Sequence, residues 1–100
     1  MFAFTIAGAN YIPQTVVLAR TLREHNPCWE FSILILDHRE EILNEATERF
    51  PDVSFEQFNP AIVGDADEWA RMCAIYDAVE LSTAIKPFVL MDFLARGHNL

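Results

Sequence analysis

Glycine is scarce in this chain, with only Gly8, Gly64 and Gly97. That scarcity excludes both the phosphate-cradling GxxxxGK[ST] loop and the dinucleotide fingerprint GxGxxG, each of which needs closely spaced glycines. Cysteine is scarcer still. Cys28 and Cys73 form neither a CxxC pair nor a metal-ligand cluster. Two reduced thiols packed as small apolar groups are expected instead. Basic residues number 7 against 15 acidic ones, for a net charge of -8. Such a field repels a nucleic-acid backbone, and the nearest approach to a basic patch, Arg20 and Arg23, sits beside Glu24. A small phosphorylated ligand stays open, because a local pocket or a metal ion can override the global field. Every apolar run is too short to cross a bilayer. Met1 leads straight into strand-like residues, with no basic leader and no small-residue cleavage site. A reduced, cytoplasmic protein is the expectation. His25, His38 and His98 stand apart without metal-ligand spacing, and packing or surface roles suffice for them.

What is present is apolar surface. Hydrophobic residues make up 52% and aromatic residues 12% of 100 residues, enough for the core of one domain. The most informative stretch runs from Phe2 to Pro27. Phe2 to Ala7 reads as a buried strand that ends in the small, polar turn Ala7-Gly8-Ala9-Asn10-Tyr11. Pro13 suits the first turn of the helix that follows, and Asn26-Pro27 closes it. Trp29 to Leu36 is a second strand, apolar enough to be covered on both faces, and Asp37 closes it. Glu40 to Phe50 carries one apolar helix face, stopped by Pro51. Val53 to Phe58 alternates like an edge strand.

Asp65 to Tyr76 has helical spacing. Ser82 or Thr83 is expected to cap a longer helix reaching Arg96, with Pro87 near its start and Gly97 as terminator. The order β-α-β-α-β-α-α predicts an α/β fold, a Rossmann-like three-layer α/β/α arrangement with a mostly parallel sheet. Residues 1–100 read as one partial domain, with a further strand expected to begin at His98-Asn99-Leu100.

In a parallel sheet, ligands bind in the crevice outside the carboxyl ends of the strands. That rule singles out the turn at Gly8-Asn10, which equally serves as a plain strand-to-helix connection. It also singles out Asp37, placed where doubly wound proteins hold a ribose hydroxyl; a helix N-cap or a solvated loop acid is the other reading. Asp65-Ala66-Asp67 has the spacing of a cation-binding pair, but it follows a glycine and opens a helix, where acids meet the positive dipole end. Lys86, just after the expected cap, would oppose that dipole, which points either to an anionic partner or to a lysine reaching solvent.

Three segments together resemble a known family: TIAGANYIPQTVVLARTLREHNP, WEFSILILD and YDAVELSTAIKPFVLMDFLARG. They are similar to the amino-terminal half of GT-A-fold bacterial glycosyltransferases, of the glycogenin/galactosyltransferase-like group, over nearly the whole chain. The resemblance implies a nucleotide-sugar-binding portion of an enzyme that transfers sugar to a glycan or other acceptor. It places nucleoside contacts on Ala7, Gly8, Ala9, Asn10 and Tyr11. It lays Thr83 to Lys86 over the nucleotide site, with Lys86 as a substrate contact. The family's DxD motif is missing, so the manganese or magnesium ion of the complete enzyme would find no ligands here, and no catalytic residue is assigned. Relatives often carry an acid in the first turn and an arginine near Lys86; this chain has Gly8-Ala9 and Ala84. The runner-up is a non-catalytic Rossmann-like ligand-binding or interaction domain. A sheet ending at the first strand would expose that edge, so self-association is expected, along with greater exposure of Phe88 or Phe93.

Overall fold

The computed structural model describes residues 1–37 and 39–98. His38 and residues 99–100, where the further strand was expected, lie outside the described residues. The chain divides into two compact units, Met1–Phe58 and a second beginning at Asn59.

The first unit alternates strand and helix: β1 (Phe2–Ala7), α1 (Ile12–His25), β2 (Glu30–Ile35), α2 (Glu40–Arg49) and β3 (Ser54–Gln57). The described strands form one parallel sheet in the order β1-β2-β3. Ala7 pairs in register with Ile35 and Ile35 with Gln57, so the three carboxyl ends stand level. The fold is mixed α/β, compatible with the Rossmann-like class expected from the order of elements.

Apolar spacing explains the layers. On α1, Ile12, Val16 and Ala19 recur at three- and four-residue steps and are buried. They join Ala7, Ile33, Ile35, Val53 and the α2 residue Ala46 in one core cluster. Both helices therefore lie on the face of β2 that carries Ile33 and Ile35. Ser32 and Leu34, on the opposite face, are buried too, so the central strand is covered on both sides as its unbroken apolar run required. Arg20 holds the loop before β3 through Asp52, with Nε–Oδ2 at 3.0 Å and Nη2–Oδ1 at 3.1 Å, and Arg23 donates to the Asp52 carbonyl.

In the second unit, α3 (Ala66–Ile75) is followed by α4 (Ala78–Ala95). The start of α4 corrects the sequence reading. Its N-cap is Asp77, whose carboxylate accepts the Glu80 N–H while Glu80 accepts the Asp77 N–H, a complete capping box. Ser82 and Thr83 are interior residues of the helix, not its caps, and Pro87 lies well inside it. The carboxyl end fits expectation: Gly97 takes φ +88°, its N–H bonds to the Leu94 carbonyl, and His98 N–H bonds to the Phe93 carbonyl. Leu81, Ile85, Val89 and Phe93 form a buried stripe, whereas Phe88, Met91 and Leu94 are exposed. Of Phe88 and Phe93, one of which was expected to be more exposed, Phe88 is exposed and Phe93 buried. Cys28 and Cys73 are free but exposed, which corrects the expectation that they would be packed away. No helix among the described residues is long and apolar enough to cross a membrane.

Candidate functional site

The carboxyl ends of the three strands are tied together by side chains. β1 ends at Ala7, and a single 3-10 turn, Ala9–Tyr11, leads into α1. The turn closes through the Tyr11 N–H, which bonds to the Gly8 carbonyl at 3.0 Å. Pro13 falls in the first turn of α1, where its missing N–H costs nothing. Asn10 and Tyr11 are exposed at the rim.

Asp37 follows β2 and reaches across to this turn, its Oδ2 accepting the Ala9 N–H at 2.5 Å. It is not the N-cap of α2; that position is Arg39, and Glu40 and Glu41 supply the acids of the first helical turn. The Asp37 carboxylate therefore belongs to the strand-end turn. Gly8 sits beside it in extended backbone at φ −76°, and a Cβ built there would meet Asp37 Oδ2 at 3.7 Å, an ordinary contact. The backbone does not require glycine at this place, so the missing side chain matters only for what approaches from outside.

A third residue completes the edge and has no counterpart among the residues expected from sequence. Gln57 ends β3, and its Nε2 donates to the Ile35 carbonyl at 3.1 Å and to the Asp37 carbonyl at 2.8 Å. Two carbonyls on that side fix the amide orientation, because only the NH2 end can donate to both. Its Oε1 is buried and has no hydrogen-bond partner among the described residues. The signal for Gln57 was present in the chain. It shares strand parity with Val53 and Phe55, which pack into the core, so it is a polar residue on the buried face.

Ala7, Gly8, Ala9, Asn10, Tyr11 and Asp37 thus lie along one edge of the first unit. Thr83 and Lys86 belong to α4 of the second unit, both exposed. Because α4 begins at Ala78, Lys86 lies more than two turns inside the helix. The argument that it opposes the positive end of the dipole no longer applies, since that effect fades within the first turn.

Asp65 is the N-cap of α3, accepting the Glu68 N–H at 2.8 Å, and Asp67 lies in the first helical turn. The pair thus starts a helix, as its setting indicated. No group of three or more histidine, cysteine, aspartate or glutamate side chains is gathered among the described residues. The residues described here do not fit a resident divalent cation.

A hollow of about 270 Å³ opens at the opposite, amino edge of the sheet, walled by Phe2, Leu22, Trp29 and Phe31. Of its charged members Arg23, Glu30 and Asp52, Arg23 and Asp52 are paired, Nη1–Oδ2 3.8 Å. Parallel α/β sheets gather chemistry at their carboxyl ends, where the buried Gln57 Oε1 also lies.

No protein-family model, no curated protein and no solved structure matches this chain.

Proposed function

We propose that the chain is the nucleotide-sugar-binding portion of a glycosyltransferase, holding the nucleoside end of the donor at the carboxyl edge of β1 and β2. The observation that supports this reading is the bond between the Asp37 carboxylate and the Ala9 N–H. A strand-to-helix turn with a free amide attracts phosphate. Here the Ala9 amide is already occupied by an anion, which also repels a second one. Asp37 Oδ1 has no donor among the described residues. The edge therefore favours groups that donate hydrogen bonds, as ribose hydroxyls do, over phosphate oxygens.

That preference turns the diphosphate away from the turn, the layout implied by the likeness of TIAGANYIP to the glycosyltransferase opening. The chain's part is donor binding; no step of sugar transfer is assigned to its residues, and none is routed through a metal. Titration calorimetry with uridine, adenosine and guanosine diphosphates and their glucose conjugates tests the reading. Binding of one nucleotide class is expected, weakened about tenfold or more by Asp37→Ala, the loss of a charge-assisted hydrogen bond. Failure of every nucleotide to bind would return the chain to the runner-up, a ligand-binding or interaction domain without transferase chemistry.

A further inference from the structure

We infer that Gln57 is a ligand-reading residue of the same edge, its Oε1 receiving a second hydrogen-bond donor of the nucleoside; this rests on the nucleotide-sugar reading above. The inference starts from an imbalance inside one amide group. Gln57 Nε2 is spent on the Ile35 and Asp37 carbonyls, while Oε1 is buried without a partner among the described residues. A buried acceptor left without a donor is costly, and buried polar groups are nearly always satisfied. The same residue could have been apolar at no such cost, since Val53 and Phe55 occupy the same strand face.

Position supplies the rest. Gln57 stands level with Ile35 and Ala7 at the carboxyl ends of the strands. It is joined to the site through Asp37, whose carbonyl it holds and whose carboxylate holds Ala9. Gln57 as a whole is only partly buried, so the shield over Oε1 is local. The edge then carries two acceptors awaiting donors, Asp37 Oδ1 and Gln57 Oε1. Two such acceptors read a molecule with at least two N–H or O–H donors on a rigid frame, as a nucleoside has, and neither serves a phosphate. Holding the Asp37 carbonyl also makes Gln57 a positioning residue for the carboxylate beside it.

The test is an isotope-labelled preparation of the whole chain titrated with uridine, adenosine and guanosine, their diphosphates, and pyrophosphate. The nucleoside that binds should shift the Gln57 side-chain NH2 resonances together with the Ala9 amide, and its diphosphate should reproduce the pattern. Pyrophosphate alone should move neither. Gln57→Met, similar in length and without polar atoms, should weaken the nucleoside about tenfold. The wild-type spectra decide the matter even where that variant folds poorly. Binding that shifts Ala9 and Asn10 but leaves the Gln57 amide unmoved overturns this inference while the proposed function stands. Pyrophosphate shifting Ala9 as strongly as the diphosphates overturns the donor-reading site. No binding by any nucleoside or nucleotide overturns both.

Discussion

Asp37 and Ala9 are 28 positions apart in the chain, yet the carboxylate of one accepts the backbone N–H of the other at 2.5 Å. The bond fastens the loop after β2 to the turn after β1, so the level ends of two neighbouring strands share one rigid corner. The proposed function adds a recognition role to its structural one, and the two separate by substitution. Asp37→Ala should cost about 1–3 kcal/mol, the range for a hydrogen bond to a charged group in a partly buried setting. Asp37→Asn keeps an acceptor for Ala9 and should recover part of that stability without recovering the ligand affinity. Chemical denaturation and calorimetry on the same two variants check this; equal recovery of both quantities would remove the recognition role.

Gly8→Ala isolates ligand approach from folding. At φ −76°, with Asp37 Oδ2 3.7 Å from the added Cβ, alanine meets no strain and no clash. Stability should be unchanged or rise by about 0.4–1 kcal/mol as the unfolded chain loses freedom. Nucleotide affinity should fall, because the methyl group occupies the surface a ligand would cover. A variant that melts higher and binds as tightly as the parent would show that nothing docks against Gly8.

The double substitution Asp65→Ala, Asp67→Ala should behave as a lost helix start. Removing the Asp65 cap costs about 0.5–2 kcal/mol, and manganese titrated into the parent and the variant should give the same weak response. A manganese-dependent rise in melting temperature that the variant lacks would reveal a cation site at α3.

Acid should act on Asp52. Hydrogen bonding from Arg20, with the charges of Arg20 and Arg23 adding to it, lowers its carboxyl below the ordinary aspartate value. A lowered folded-state value gives stability that is fully present above the unfolded-state value, near ~3.9, and lost as pH falls through the folded one. Asp52→Asn should therefore melt below the parent at neutral pH, and the two melting curves should converge in acid. Parallel curves down to the acid limit would show that the pair contributes nothing to stability, as many exposed pairs do not.

Much of the first unit was legible because each element announced itself through a single dominant force. The β2 run Ile33-Leu34-Ile35 is apolar on both parities and is buried on both faces. Pro13 and Asn26-Pro27 bracket α1 where backbone chemistry demands. The start of α4 was misread because two capping signals compete within seven residues. Ser82 and Thr83 are good caps in isolation, but Asp77 with Glu80 three residues on satisfies two donors reciprocally and adds another turn and more of helix. That misreading put Lys86 near a helix start, whereas it lies in the helix interior. Asp37 was found by its place after an apolar strand and Ala9 by its place in the first turn, but their pairing was not, since a bond across 28 residues leaves no periodic trace. Gln57 left a trace, a lone amide on a core parity, which alternation alone did not flag as chemistry.

Strand order in the first unit follows chain order, β1 beside β2 beside β3. Each strand therefore finds its template already made by the strand before it, one helix earlier, and no described strand of this sheet must wait for a partner from further along. Assembly can keep pace with synthesis: β1 and α1 first, β2 docking as it emerges, then α2 and β3. Sequential pairing keeps each crossover to one helix, the shortest closure a parallel pair allows. The corner made by Ala9 and Asp37 would close as soon as β2 has paired, before Gln57 has left the ribosome. The carboxyl edge of the sheet is thus built from one end to the other, with Gln57 added last.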